Sequence, residues 1–277
     1  MKRMLVSALV AGFGAGLFAA ALQFAFVQPV LLEAELYETG VKTHVAAVGG
    51  AEHDHAHPEP AAADAVAATE AIEVTEATEA TEATGAGEAP HDHGAHDHDA
   101  PAAPVDWARN GLTLIFTALV YCGYALLMVA AIAFAESRGE TVTARSGMLW
   151  GLAGFIALHF APAVGLPPEL PGMSAADLTD RQIWWVSTVV ATGIGLWLVA
   201  FGKSPVAWGA AVLLLMAPHL IGAPYPEQLS GPVPPELGAL FAGRTLGVGM
   251  AAWVVLGLAL TTVWTWDRSG NPAAGRA

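Results

Sequence analysis

Charged residues are scarce in this chain. Asp, Glu, Lys and Arg make up 13% of its 277 residues, whereas a soluble domain carries roughly 25%. Hydrophobic residues make up 55%. This balance excludes an ordinary water-soluble domain and indicates that lipid surrounds most of the chain.

Cysteine is nearly absent as well, since Cys122 is the single one. No intramolecular disulfide can form, and a structural zinc site of four cysteines, or of two cysteines and two histidines, is excluded by count. The chain also lacks the GxxxxGK[ST], HExxH and GxSxG motifs. We therefore expect no enzyme, and any active uptake of a solute must be coupled to an ion gradient or to another protein.

Long uncharged runs predict an all-α integral membrane protein with about six transmembrane helices. A span needs about 20 apolar residues, and the runs lie at 4–32, 111–135, 148–166, 183–202, 205–221 and 241–265. The run at 205–221 is the shortest and follows a very tight turn, so five spans are the alternative. Lys2 and Arg3 precede the first run, so a cleaved signal peptide is the alternative to a first helix over residues 1–32.

Pairs of glycines spaced four residues apart predict close contacts between these helices. They are Gly12 with Gly16, Gly147 with Gly151, and Gly243 with Gly247. Pro29 is expected to tilt or end the first helix, because proline lacks the N–H that continues the hydrogen-bond ladder.

A long acidic segment separates the first span from the rest. Between Glu33 and Asp106 there are 17 acidic residues and one basic residue, Lys42. A Thr-Glu-Ala repeat within it has no apolar face, so residues 33–108 are predicted to form a disordered loop. The remaining residues are predicted to form a membrane domain over 109–267 and a cytoplasmic tail over 268–277. The acidity favours cation attraction and argues against nucleic acid as a partner.

Basic residues near the helix ends predict the orientation. If the N-terminus is cytoplasmic, seven Lys and Arg residues lie inside and four lie outside. Both termini would then be cytoplasmic and the acidic loop extracytoplasmic, in a bacterial inner membrane with the lipid bilayer as the main surrounding partner.

Histidines are concentrated in that loop, which holds eight of the ten in the chain. Imidazole suits cobalt, nickel, copper and zinc, and the neighbouring carboxylates add oxygen ligands. The loop is therefore predicted to bind divalent metal ions with modest selectivity, the alternative being an acidic spacer in which histidine is incidental. The predicted ligands are His53, His55, His57, His91, His93, His96 and His98.

Two further histidines lie near the ends of predicted spans. His159 precedes Pro162 and His219 follows Pro218, within two stretches that both read Ala-Pro, an apolar segment, Gly, and a Pro-rich turn ending in Pro-Glu. This echo predicts two related helical hairpins whose histidines face a shared cavity. The alternative is that each imidazole hydrogen-bonds a carbonyl freed by the neighbouring proline.

Carboxylates near the same membrane face are additional candidate metal ligands. Glu33 and Glu35 follow the first span and could pass a cation inward, or simply form a polar helix end. Glu169 lies in the first Pro-rich turn, where a rigid backbone could hold it at a fixed depth. Charges near a membrane rarely stay unpaired, so Arg181 is the expected partner of Glu169, and Arg244 the expected partner of Glu227.

The chain resembles the CbtA family of predicted cobalt transporter subunits. The resemblance spans nearly the whole chain outside the loop, and its most specific parts are Gly165-Leu-Pro-Pro-Glu-Leu-Pro-Gly172 and Arg181-Gln-Ile-Trp-Trp185. It also includes Gln28-Pro29, Leu32-Glu-Ala-Glu-Leu-Tyr-Glu38 and Gly151-Leu-Ala-Gly-Phe155. The resemblance implies a subunit for cobalt uptake linked to cobalamin biosynthesis. It also implies a partner, CbtB, which is a very small single-span protein with its own histidines.

Together these observations predict a subunit of a divalent-metal uptake transporter, with cobalt first and nickel or zinc as alternatives. The loop would capture the ion, Glu33 and Glu35 would receive it, and His159, His219 and Glu169 would line its path. The competing hypothesis is a membrane-anchored periplasmic metal buffer or sensor that does not itself transport.

Overall fold

All the regular secondary structure in the described part of the chain is helical. The computed structural model describes residues 2–43 and 106–269, so the predicted loop histidines lie outside the described residues. The helices are α1 (Lys2–Leu22), α2 (Gln28–Glu38), α3 (Trp107–Ser137), α4 (Gly147–Phe155), α5 (Ala161–Gly165), α6 (Leu178–Phe201), α7 (Pro205–Ile221) and α8 (Pro235–Ser269). Short π-helical turns, Gln23–Val27 and Ile156–Phe160, join α1 to α2 and α4 to α5.

Five helices are long and apolar enough to cross a membrane. They are Met4–Glu38, Trp107–Ser137, Ala144–Gly165, Leu178–Phe201 and Pro235–Trp266. The sixth predicted span corresponds to α7, which has 17 residues. At a rise of about 1.5 Å per residue this helix is about 25 Å long, which is short of a hydrocarbon core of about 30 Å. The predicted class, an all-α membrane protein, is confirmed. The described residues contain five helices of spanning length, which agrees with the five-span alternative.

The first span continues past the predicted boundary at residue 32. The helix does not end at Pro29. The π-helical turn over Gln23–Val27 precedes the proline, which therefore falls in the first turn of α2. A residue in the first turn of a helix has no intrahelical acceptor for its N–H, so proline, which lacks the N–H, is tolerated there. Helix α2 therefore runs to Glu38, with Val30 and Ala34 buried on one face.

Two glycine seams hold the helices together, as predicted. A Cβ atom built on Gly12 would lie 2.7 Å from the Cα of Cys122, and one on Gly16 would lie 2.6 Å from the Cα of Ala118. These glycines bring α1 onto α3. Gly147 and Gly151 do the same for α4, which lies against Gly257 of α8 at backbone contact distance.

The third predicted seam is wrong. Nothing lies within 4 Å of a Cβ atom built on Gly243 or on Gly247. Both face away from the other described helices, because α8 turns its Trp253, Leu256 and Leu260 into the core instead. A Gly-x-x-x-Gly spacing identifies a face that permits close approach, but the larger apolar side chains decide which face the core uses.

Helices α6 and α7 form an antiparallel hairpin that packs on itself. Trp184 and Thr188 of α6 are buried, and the indole Nε1 of Trp184 donates a 3.3 Å hydrogen bond to the carbonyl of Pro218. Helix α7 packs along α6, whereas α8 packs along α1 and α4. The two predicted repeats thus differ in their packing within the described chain.

One end of the bundle is closed by a cap formed by α2 and the two Pro-rich loops, residues 166–177 and 222–234. The loops join where the N–H of Ser174 donates to the carbonyl of Ser230 at 2.8 Å. Leu170 and Val233, one from each loop, are buried with Ala34 of α2 in a small apolar cluster. The cap holds the acidic end of the first span beside both loops.

The glycine seam between α4 and α8 allows a direct test of the packing. Gly151→Leu should lower the unfolding temperature in detergent by several degrees, because its Cβ would collide with the backbone at Trp253 and Val254. Overpacking of this kind costs roughly 1–3 kcal/mol. Gly247→Leu is the matched control, since space is open there. Equal unfolding temperatures for the two variants would contradict the close crossing.

Candidate functional site

Glu33 and Glu35 lie in α2, and each is held by a cation. Lys42 Nζ lies 2.6 Å from Glu33 Oε1. Both guanidinium Nη atoms of Arg109 bind Glu35, one of them at 3.1 Å. The hydrogen bond that Lys42 donates to the Glu33 carboxylate raises the pKa of the lysine. A metal ion that binds either carboxylate must therefore compete with a resident cation.

Glu169 makes the ion pair that the sequence predicted. Its Oε2 lies 2.9 Å from Arg181 Nη2, and both side chains are about a third exposed. The pair joins the first Pro-rich loop to the start of α6. Glu169 is thus placed at the cap end of the bundle, on the same end as Glu33 and Glu35, and like them it has a basic partner.

The predicted pairing of Arg244 with Glu227 is wrong. Arg244 instead donates a 3.0 Å hydrogen bond from Nη1 to the main-chain carbonyl of Phe26, in the first π-helical turn. The position of Arg244 on the helix explains the difference. It follows the first residue of α8, Pro235, by nine positions, about 13 Å along the axis. The arginine therefore reaches the π-helical turn between α1 and α2 rather than a carboxylate in the loop.

His159 lies inside the bundle because of the second π-helical turn. Residues Ile156–Phe160 form this turn, and Pro162 opens the next helix, α5. Proline cannot donate to the preceding turn, and π-helical turns relieve such interruptions and are frequent at functional sites. The same order, a π-helical turn followed two residues later by a proline, occurs at Val27 and Pro29.

Aromatic rings surround the imidazole of His159. The ring of Phe155 stacks on it with centroids 6.0 Å apart, while Tyr124 and Trp253 present edges at 5.5 and 5.8 Å. His159 Nε2 is buried and has no hydrogen-bond partner, and the same holds for Trp253 Nε1. A buried imidazole nitrogen without a partner is unusual. Of the two histidines predicted near the ends of spans, only His159 has a buried ring nitrogen without a hydrogen-bond partner.

His219 has a different environment. It lies on α7 near Trp184 of α6, with ring centroids 6.4 Å apart. No ring contact or hydrogen bond joins it to His159 or to any ring neighbour of His159 among the described residues. Across residues 2–43 and 106–269, no group of three or more His, Cys, Asp or Glu side chains is arranged to hold a metal ion.

Tyr124 and Trp253 were not predicted as site residues. Both lie within long apolar helices, where an aromatic side chain most often fills a core or faces lipid. Trp253 has one sequence signal, because it sits in the middle of a span, whereas tryptophan is enriched at the membrane interfaces. Its packing against His159 depends on the α4–α8 crossing, which the sequence pattern does not reveal.

These features define a multi-pass α-helical membrane protein with acidic residues at its cap end and a partnerless imidazole nitrogen in its interior. The chain belongs to the CbtA family, described as a probable cobalt transporter subunit, whose model matches residues 1–71 and 61–265. Comparison with curated proteins and with solved structures finds no match. Family membership confirms the resemblance seen in the sequence and identifies a metal ion as the substrate.

A double-mutant cycle measures how firmly the first span is held at the cap. For Glu35→Gln and Arg109→Gln we expect a coupling energy of about 0.5–1 kcal/mol, because partly exposed ion pairs fall in that range. Stability is read from unfolding in detergent. The Glu33–Lys42 pair, which is more exposed, serves as the comparison and should couple less. A larger coupling for Glu33–Lys42 would contradict the structure.

Proposed function

We propose that this chain is the membrane subunit of a divalent-metal uptake transporter whose leading substrate is cobalt. Family membership supplies the class of protein. The observation that carries the path is His159, whose Nε2 is buried without a partner between α3, α4 and α8. Imidazole nitrogen suits cobalt, nickel and zinc, so His159 Nε2 would bind these ions in the interior in preference to magnesium or calcium.

The first step is capture of the ion by the histidines of the acidic loop. Only neutral imidazole binds metal, and the negative charge of the loop raises the local concentration of cations. In the proposed orientation both termini are cytoplasmic and the loop faces the periplasm, across the inner membrane. The ion is thus collected on the side from which uptake begins.

The second step is transfer to the carboxylates at the cap. Glu33, Glu35 and Glu169 each have a basic partner, so binding of an ion requires displacement of that partner. This exchange weakens the carboxylate sites. Weak sites favour passage, since an ion that is bound too tightly cannot leave.

The third step is passage through the bundle, past His219 and His159. A single imidazole is a sparse ligand set, and the ion keeps water in its other coordination positions. The rings of Tyr124, Phe155 and Trp253 line this point of the path. Sparse ligation again prevents a deep trap in the interior.

A partner subunit completes the transporter in this proposal. The word subunit in the family description supports it, and a CbtB-type small membrane protein with its own histidines would extend the ligand path. The chain has no nucleotide-binding motif, so energy comes from an ion gradient or from the partner.

The second candidate function is a membrane-anchored metal buffer or sensor. One observation favours it, namely that the described residues contain no group of three metal-ligating side chains. In this hypothesis the loop is the functional element and the helices serve as an anchor. The two functions differ in what they require of the membrane interior.

Replacement of His159 tests the interior path. In proteoliposomes containing this chain, with a CbtB-type subunit if it proves necessary, His159→Ala should reduce the initial rate of radiolabelled cobalt uptake by about tenfold, equivalent to about 1.4 kcal/mol. Phe13→Ala, which truncates an exposed ring on α1, is the control and should leave the rate unchanged. A normal rate in His159→Ala would remove His159 from the path.

Deletion of residues 50–100 separates the two candidate functions. A transporter that lacks the capture loop should require more external cobalt for half-maximal uptake but retain its maximal rate, because the helices still form the path. A buffer or sensor should lose all of its metal-dependent behaviour. Cobalt uptake as a function of external concentration distinguishes them.

Acid should abolish capture, because protonated imidazole cannot bind a metal ion. Cobalt held by the full chain should fall as the pH decreases through about 6, where histidine becomes charged. Equilibrium dialysis from about pH 8 to about pH 5 measures this, a range that brackets the titration of imidazole. Constant retention across that range would mean that histidine is not the ligand.

A further inference from the structure

An apolar cleft of about 440 Å³ lies between α6 and the two helices α3 and α4. Small residues make it possible. Ala153, Gly154 and Ala157 line it on the α4 side, and Gly193 and Ala200 line it on α6. These small side chains leave a gap among the larger apolar residues that also line the cleft, within the membrane-spanning part of the bundle.

The cleft exists because α6 is attached to its neighbours at two separated levels. Near the cap, Gly165 approaches Trp184 closely. The π-helical turn Ile156–Phe160 packs on α6 as well. Near the other end, rings join the helices: Phe134 contacts Trp197 with centroids 5.0 Å apart, and Trp150 contacts Phe201 at 6.3 Å. The cleft lies between these two regions of contact.

The shape of the cleft selects a narrow apolar occupant. A helix with its side chains is about 10 Å across and cannot pass between helices that ring contacts already join. Water is a poor occupant, since apolar cavities stay dry. A single lipid acyl chain is narrow and apolar. The exposed side chains of Leu127 and Leu149 line the cleft, so it opens toward the surrounding lipid.

One end of the cleft is polar. Glu140, Thr141 and Ser146 line it there, in the connection between α3 and α4. The Glu140 carboxylate is half-buried and has no ion-pair partner within the described residues. The nearby cation Arg138 lies over the ring of Phe134, 4.8 Å from its centroid. An unpaired carboxylate at the edge of a membrane favours a cationic partner.

We propose that this cleft binds one phospholipid with a primary ammonium headgroup, of the phosphatidylethanolamine type. One acyl chain lies along the small residues of α4 and α6, and the ammonium group binds Glu140. The bound lipid supports the α6–α7 hairpin against the rest of the bundle. Its chain ends near Trp253, which lines the deep part of the cleft and packs on His159. The proposal does not depend on metal transport.

Native mass spectrometry of the delipidated full chain tests the proposal. The protein in mild detergent is titrated with phosphatidylethanolamine or with phosphatidylglycerol of the same acyl chains. We expect the first lipid to bind at least about tenfold more tightly, a difference of about 1.4 kcal/mol. Glu140→Gln should reduce binding of phosphatidylethanolamine to the level of phosphatidylglycerol and leave the latter unchanged.

A second pair of variants tests the acyl-chain site without a risk to folding. Gly193 lines the cleft, and nothing lies within 4 Å of a Cβ atom built on it, so the side chain of Gly193→Leu has open space at its base and should extend into the cleft. It should abolish retention of either lipid. Gly209→Leu, on α7 and equally open, is the control and should bind normally.

Two results would overturn the proposal. Equal affinity for the two lipids, unchanged by Glu140→Gln, would show that the polar end does not select an ammonium group. Normal lipid retention in Gly193→Leu would show that the lipid binds elsewhere. Both readouts are independent of cobalt, so a failure of the proposed transport function would not affect them.

Discussion

The contact between α4 and α8 is the interaction on which the rest of the structure depends. Gly147 and Gly151 lie against the backbone of α8 around Gly257, which no residue with a side chain would allow. The approach turns Trp253 into the core, where it is 1% exposed and packs on His159. The environment of the free imidazole nitrogen therefore depends on glycines in its own span and in α8.

A π-helical turn followed by a proline occurs both in the first span and beside His159 in the third. In the first span and in the third, the π-helical turn ends two residues before a proline, and the helix continues. The extra residue changes which side chains face inward. At the first turn it exposes the Phe26 carbonyl to Arg244, and at the second it places His159 among three rings. Each span thus remains one continuous helix, but different side chains face the bundle before and after the π-helical turn.

Charge is distributed unevenly along the candidate path. Every predicted carboxylate ligand at the cap has a basic partner, whereas the histidine in the interior has no hydrogen-bond partner for Nε2. In the proposed path, a cation exchanges partners at the cap and meets an imidazole nitrogen without a hydrogen-bond partner inside. This order suits a substrate that must be released as well as bound.

Composition and long uncharged runs determined the membrane class and the helical architecture, because lipid imposes helix length and apolarity directly on the sequence. Sequence motifs indicated the family, glycine spacing predicted two of the three seams, and the charges at the first Pro-rich turn predicted the Glu169–Arg181 pair. Tertiary structure decided the partner of Arg244, the exposure of Gly243 and Gly247, and the ring cluster around His159. These depend on which face of each helix turns inward. That choice follows from π-helical turns and from packing between segments far apart in the chain, neither of which local periodicity encodes.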